Sequence, residues 1–384
     1  MKKLLLILCL ALLASTSFSQ SKIIYEEISS FKLEESRRLK IQLPRDYEEN
    51  IEKSYPIVVV LDANYLFEPV AGNVDFFSYW EDMPEAIVVG VMQGEKRYED
   101  CSYDDTNFMP EEKGASFFEF IGLELIPYID ANFRTAKFTI AVGHDFTANF
   151  INYYLFKDPP MFNGYICLSP DLAPMMDERL PERIPSIETK LFYYLATGTD
   201  DIKDLMEISK DLDTRLSPLK SDNFTYYFDN FDGATHYSLV ARALPSALEK
   251  IFSVYRPISK EEFNNKLMKM ETPIHEYLLE KYKIINDLFG LSNPIRVNDF
   301  IAVATACEKK KQWDSLREIA TLAQRQYPDT VMGDYYLGRY YEEMGEPKKA
   351  MRTFQAGFDK EEVDFITVDL MLERADKIKE DFGY

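Results

Sequence analysis

The segment Phe138–Ala148, FTIAVGHDFTA, decides the fold class. Its first five residues, Phe138 to Val142, are apolar except for Thr139 and have the length and composition of a strand. Gly143 and the polar residues after it predict a tight turn, which places Asp145 at the start of a helix. A buried strand that turns sharply into a helix is typical of a unit that presents a reactive side chain above a parallel sheet.

The residues on either side of this segment repeat the alternation of apolar runs and helical patterns. This alternation predicts an α/β domain over residues 20–258, with a mostly parallel, doubly wound sheet between helices. The other predicted strands are Ile57–Leu61, Ile87–Val91, Gly164–Leu168, Leu191–Ala196 and Phe224–Phe228.

Three polar positions follow predicted strands in the chain order nucleophile, acid and histidine, which is the order of the α/β-hydrolase fold. The segment around Asp145 has the form of the nucleophile turn G-x-S-x-G, with aspartate in place of the serine. Asp201, or Asp200 as the alternative, follows the fifth strand, where the acid is expected, and His236 follows the sixth. Ser169, a nearby hydroxyl at a strand end, is interpreted as structural. The pattern predicts an α/β-hydrolase fold.

Residues 35–255 resemble the esterase family that includes enterochelin esterases, feruloyl esterases and esterase D. Four segments carry the resemblance: LKIQLPRDYEENIEKSYPIVVVLDANYLF (39–67), IVVGVMQGEKRYEDCSYDD (87–105), FNGYICLSPDLA (162–173) and HYSLVARALPSALEKIF (236–252). The resemblance implies ester hydrolysis without a cofactor.

The resemblance also assigns roles to individual residues. It makes His236 the base and Asp201 the acid that orients it, with Asp200 as the alternative. It places an oxyanion hole at the backbone N–H groups of Ala63 and Phe146. Arg97 corresponds to an arginine of the family and is a candidate binding residue, and the family's serine falls on Asp145, according to the four segments above.

The aspartate leaves three functions open. A carboxylate that attacks an ester forms a mixed anhydride that reverts easily, whereas attack on an alkyl electrophile forms an ordinary ester. GHDFTA is similar to the elbow of epoxide hydrolases and haloalkane dehalogenases, although the 201 − 145 = 56 positions between Asp145 and Asp201 leave little room for their helical cap. We therefore expect a binding or accessory protein without serine-esterase activity. The alternatives are an active carboxylic-ester hydrolase and a hydrolase that uses Asp145 as nucleophile.

From Lys260 onward the apolar pattern is helical only. We interpret residues 259–296 as a helical linker and residues 297–384 as an all-α, tetratricopeptide-like domain. The segments 297–330 and 331–364 repeat at the 34-residue period of this motif, and Ala304 aligns with Gly338 where paired helices pack closely. Such repeats predict a possible surface for a protein partner.

The first nineteen residues predict a secretory signal peptide. Lys2 and Lys3 precede the apolar run Leu4–Leu13, which is too short to span a bilayer. We expect export, either to the periplasm or to the cell exterior, and no membrane span. The net charge of −21 disfavours nucleic acid as a partner, and three His with four scattered Cys residues predict no metal site. An ester or a carbohydrate is the expected ligand.

Overall fold

The computed structural model describes residues 21–384, so the predicted signal peptide lies outside the described residues. The chain divides into two compact units, of which the first ends at Ser253 and the second begins at Val254. In the described part of the chain, no helix is both long enough and apolar enough to cross a bilayer.

The first unit is built on one sheet of eight strands. Their order across the sheet is β1-β2-β4-β3-β5-β6-β7-β8. The two pairs β1–β2 and β2–β4 are antiparallel, and the remaining pairs are parallel, which confirms the predicted mostly parallel sheet. The strands are β1 (Lys22–Ser30), β2 (Glu35–Leu43), β3 (Tyr55–Val60), β4 (Ile87–Val91), β5 (Thr135–His144), β6 (Gly164–Leu168), β7 (Leu191–Asp200) and β8 (Phe224–Thr235).

Burial on both faces explains why the central strands are continuous apolar runs. Every residue of β3, β4 and β6 is buried. Ile57 and Val59 belong to the core on one face, whereas Val58 and Val60 are buried on the other, as the two-residue period of a strand requires. The helices of the first unit are α1 (Phe67–Tyr79), α2 (Arg97–Asp100), α3 (Glu112–Glu119), α4 (Ile126–Asn132), α5 (Phe146–Asn152), α6 (Met176–Arg183), α7 (Lys203–Leu216) and α8 (Ser238–Ile251).

The second unit is all-α, as predicted. Its helices are α9 (Lys260–Asn265), α10 (Ile274–Phe289), α11 (Val297–Lys310), α12 (Trp313–Gln326), α13 (Met332–Glu343), α14 (Pro347–Gln355) and α15 (Val368–Phe382). The segment predicted as a linker contributes Ile274 and Leu278 to the same core as Phe300 and Ile319 of the later helices. A Cβ at Gly338 would collide with the Phe354 ring, so a small residue lets α13 and α14 approach closely. The assignment of these helices to the tetratricopeptide type stays a prediction.

Candidate functional site

The predicted site residues lie together at one edge of the sheet because each follows the carboxyl end of a strand. Ala63 follows β3, Arg97 follows β4, Asp145 follows β5, Asp201 follows β7 and His236 follows β8. Ligand sites of open α/β sheets occur at this edge.

The backbone at Asp145 makes the sharp turn that the sequence predicts. Asp145 has φ 61° and ψ −122°, a region that non-glycine residues rarely occupy. Its carbonyl oxygen accepts hydrogen bonds from the Ala148 and Asn149 N–H groups at 3.0 and 3.2 Å, which starts α5. A Cβ on Gly143 would lie 2.5 Å from the backbone of Thr147, so only glycine lets the strand end pass this close to the helix. The turn places the Asp145 side chain above the carboxyl end of β5, and 17% of its surface is exposed.

His236 and Asp201 form a hydrogen-bonded pair. The distance between His236 Nδ1 and Asp201 Oδ1 is 2.9 Å, and the Asp201 side chain is buried. Burial acts to raise the pKa of Asp201, but hydrogen bonds from His236, Ser169 and the Ile202 N–H outweigh it and hold the pKa below its usual value. Asp200, the alternative acid, is exposed at the end of β7. The structure therefore brings Asp201 rather than Asp200 against the histidine.

Ser169 is a third member of this group. It directly follows β6 with φ 44°, and its fully buried Oγ lies 3.2 Å from His236 Nδ1. The hydroxyl therefore meets the same ring nitrogen as Asp201, on the side of the imidazole that orients it. The hydrogen bonds of the His236 ring in residues 21–384 all involve Nδ1.

Arg97 joins the Asp145 carboxylate to a second, buried carboxylate. Its Nη1 donates to Asp145 Oδ2 at 3.1 Å, and its Nε donates to the two carboxylate oxygens of Asp62 at 2.7 and 2.9 Å. Its Nη2 also donates to the His144 carbonyl oxygen at 3.1 Å. Burial acts to lower the pKa of Arg97, but Asp62 and Asp145 outweigh it, so the guanidinium stays charged. One cation is thus shared by two carboxylates.

His144 lies beneath this network as a neutral ring. The Tyr65 hydroxyl contacts its Nδ1 at 2.9 Å, and its Nε2 lies 3.1 Å from the His236 carbonyl oxygen. A carbonyl oxygen only accepts, so Nε2 carries the proton and Nδ1 accepts from Tyr65. Burial, assisted by His236 and Arg97, lowers the pKa of His144 to about 4. The ring therefore adds no positive charge at neutral pH.

The two predicted oxyanion donors differ in availability. The Ala63 N–H donates to the Val91 carbonyl oxygen at 3.1 Å, so this group is engaged between the ends of β3 and β4. This hydrogen bond would have to break before the group could bind an oxyanion, and the role of Ala63 stays a prediction. Phe146 is the first residue of α5, where N–H groups have no partner within the helix, and its role stays a prediction.

Sequence reasoning missed Tyr65 and Asp171. Both follow strands of the sheet, β3 and β6, and this position was the available signal. The Asp171 N–H donates to the Asp145 carbonyl oxygen at 3.3 Å. Burial and the neighbouring Asp145 raise the pKa of Asp171. Asp171 therefore adds a third carboxylate to the site, after Asp145 and Asp62.

Two other features lie outside this constellation. A surface cavity of about 590 Å³ lies near the opposite, amino end of β8, lined by Asp213, Lys220, Phe224 and Tyr226 among others. Within residues 21–384, no three His, Cys, Asp or Glu side chains are grouped so as to hold a metal ion.

The first unit is an α/β-hydrolase. This class is defined by a mostly parallel sheet, a strained strand-to-helix turn and a His–Asp pair in the order found here. The family model described as "Putative esterase" matches residues 30–262, and the chain belongs to this family. The confirmed resemblance establishes the esterase-like fold.

Solved structures give the same result. An uncharacterised protein from Capnocytophaga ochracea is 30% identical, with a TM-score of 0.84, over 94% of this chain and 100% of that chain. An IroE-like serine hydrolase from Shewanella oneidensis is 20% identical, with a TM-score of 0.59, over 79% of this chain and 99% of that one. The BES protein from Bacillus cereus is 23% identical, with a TM-score of 0.52, over 60% of this chain and 96% of that one. None of the curated proteins compared with the chain matches it.

Proposed function

We propose that the first unit is a ligand-binding member of the esterase family that does not hydrolyse esters by the serine mechanism. The ion pair between Arg97 and Asp145 carries the proposal. A serine nucleophile is activated when a histidine removes its proton, but a carboxylate has no proton to give. The guanidinium 3.1 Å from Asp145 Oδ2 also stabilises the charge that an attacking oxygen would have to supply.

The pair between His236 and Asp201 supports a site that has lost one component and kept the others. Its 2.9 Å hydrogen bond orients the imidazole with Nδ1 toward the acid, as a catalytic base requires. Nε2 then remains the ring atom that could meet a ligand. The missing hydroxyl is therefore the chemical difference that the first test addresses.

The test is Asp145→Ser in the mature chain, residues 20–384, with Asp145→Ala as the matched control. Wild type and Asp145→Ala are expected to show no turnover of p-nitrophenyl acetate or butyrate above a His236→Ala variant. Asp145→Ser is expected to exceed Asp145→Ala by about tenfold or more, since an oriented nucleophile and base add to what binding alone supplies. A fluorophosphonate probe is expected to label Asp145→Ser alone. Wild-type ester turnover that is lost in both Asp145→Ala and His236→Ala would overturn the proposal.

A second candidate function is hydrolysis of an alkyl electrophile with Asp145 as nucleophile. The strained turn at Asp145 favours it, because that conformation presents the side chain as a nucleophile elbow does. The Asp145 carboxylate would form a C–O bond as the leaving group departs with its electron pair. Water deprotonated by His236 would then hydrolyse the ester. The connection between β6 and β7 has 191 − 168 − 1 = 22 residues, and its helical part consists of the eight residues of α6 and a 3₁₀ turn over Ile184–Ser186. It therefore offers no large helical cap.

Mass spectrometry separates this candidate from the first. Wild-type protein is incubated with an epoxide and with an alkyl bromide, and peptides that contain residue 145 are analysed for a covalent adduct. The binding proposal predicts the same spectrum for wild type and Asp145→Asn. An adduct at Asp145 in the wild type that is absent from Asp145→Asn would establish the nucleophile instead.

The proposal also includes export of the chain through the signal peptide predicted at residues 1–19. Cys101, Cys167 and Cys307 are buried and unpaired in the described structure, so no disulfide between them is needed for this fold. Fractionation of the native host followed by N-terminal sequencing is expected to give a chain that starts at Gln20 outside the cytoplasm. A cytoplasmic chain that retains its first residues would contradict this part of the proposal.

A further inference from the structure

Exposed aromatic side chains surround the Asp145 site. Tyr237, Tyr98 and Tyr65 are 78%, 67% and 42% exposed, although rings of this size usually lose much of their surface on folding. They belong to three different segments, which follow β8, β4 and β3, and Tyr98 lies within the short helix α2. Their meeting at one edge is therefore a property of the fold rather than of local sequence.

Each of these rings is placed by contact with a residue of the site. Tyr98 packs edge-on against Phe146, the neighbour of Asp145, with 5.1 Å between ring centroids. Tyr237 contacts the His236 ring at 5.1 Å, and Tyr65 contacts the His144 ring at 5.9 Å. The rings therefore form a fixed aromatic rim, which we define as Tyr65, Tyr98 and Tyr237.

The charge within this rim is negative. Asp62, Asp145 and Asp171 contribute three carboxylates, and within residues 21–384 Arg97 is the one cation that forms a salt bridge with any of them. Asp171 has no salt bridge in the described part of the chain. Asp171 and Asp145 are in contact, since the Asp171 N–H donates to the Asp145 carbonyl oxygen at 3.3 Å. The repulsion from the negative charge of Asp145 acts to raise the pKa of Asp171, whereas Arg97 acts to lower it. A ligand with positive charge would relieve this repulsion, and an anionic ligand would add to it.

We propose that the aromatic rim and the carboxylates of Asp145 and Asp171 bind an organic cation, an ammonium group on an apolar or aromatic body. The inference rests on the proposed binding function of the same site and names its ligand class. Ammonium groups are attracted both to carboxylates and to the faces of aromatic rings. The protein already contains such a contact, since the Arg97 guanidinium carbon lies 5.1 Å from the Phe146 ring centre and 5.9 Å from that of Tyr98.

Three probes of similar size test the inference by isothermal titration calorimetry on the full mature chain. They are benzyltrimethylammonium as the cation, benzyl alcohol as the neutral compound and benzenesulfonate as the anion. The cation is expected to bind about tenfold or more tightly than the neutral compound, the difference that one carboxylate and one ring contact supply. The anion is expected not to bind. Added salt should weaken binding of the cation and leave that of benzyl alcohol unchanged.

Variants test which residues contribute to the affinity for the cation. Asp171→Asn is expected to lower the affinity for the cation by about fivefold or more without altering that for benzyl alcohol. Tyr98→Leu is expected to lower the affinity for the cation more than the affinity for the neutral compound. Asp211→Asn, which changes an exposed carboxylate on α7, serves as the matched control and should leave both affinities unchanged.

Equal affinities for the cation and the neutral compound would overturn the inference, as would the absence of binding by all three probes at millimolar concentration. An unchanged cation affinity in Asp171→Asn would also overturn it. Ester turnover by the wild type would overturn the proposed function instead, and that result comes from a separate assay. The two failures can therefore be distinguished.

Discussion

Acidification from pH 7 to pH 4 is expected to destabilise the first unit by about 3 kcal/mol through His144 alone. The pKa of this ring is about 4 in the folded chain, against an ordinary value of 6.5. Between these values the unfolded chain binds the proton and the folded chain does not. The contribution of His144 to the free energy of unfolding is therefore fully present above pH 6.5 and is lost as the pH falls. The two pKa values differ by 6.5 − 4 = 2.5, and each unit is worth about 1.4 kcal/mol. The expected loss at pH 4 is slightly smaller than their product, because about half of the folded rings are then protonated.

Hydrogen exchange followed by mass spectrometry measures this loss within the first unit. Peptides from β5 and β6 report its opening free energy at pH 7 and near pH 4, after correction for the intrinsic rates. His144→Gln keeps a polar side chain and removes the titration, so the change with pH should shrink by about 3 kcal/mol relative to wild type. His275→Gln, in the second unit, is the matched control and should change with pH as wild type does in these peptides. Identical pH dependence in His144→Gln and wild type would refute the reasoning.

Three further variants test the packing and charge arguments. Gly143→Ala is expected to lower the free energy of unfolding by more than about 2 kcal/mol, because its Cβ would lie 2.5 Å from backbone atoms of α5. Thermal denaturation measures this loss. In the same measurement Gly72→Ala, whose Cβ would have no atom within 4 Å, should be neutral or slightly stabilising. Arg97→Met should lower the free energy of unfolding measured in urea by about 3–5 kcal/mol, because it leaves the buried Asp62 carboxylate without its cation. A loss below about 1 kcal/mol would contradict the ion-pair description. Gly338→Ala should speed hydrogen exchange only in the second unit, by forcing the Phe354 ring to move, and an unchanged exchange rate would contradict the close approach of α13 and α14.

The sequence was most informative where a residue's environment follows from its neighbours. Strands such as Ile87–Val91 could be predicted because burial on both faces requires an uninterrupted apolar run. The elbow could be predicted because Gly143 and Asp145 lie two residues apart on one turn. The meeting of Asp201 and His236 followed from the rule that parallel strands end at a common edge.

Contacts between distant loops could not be predicted in the same way. Arg97 and Asp145 are 48 positions apart, and either could have paired with another of the many charged residues. Their pairing depends on β4 and β5 lying on either side of β3, an order that periodicity does not reveal. The engagement of the Ala63 N–H was hidden for the same reason, because its acceptor belongs to a different strand. Long-range choice of partner is decided by topology and shape rather than by residue type.

The backbone conformation of Asp145 has a consequence for the stability of the first unit. A side chain held at φ 61° and ψ −122° stores strain of about 1–3 kcal/mol, a sizeable part of the net stability of an ordinary domain. A glycine at this position would adopt the same angles at little cost. The aspartate therefore holds its carboxylate at this turn at a cost in stability that a glycine would not carry.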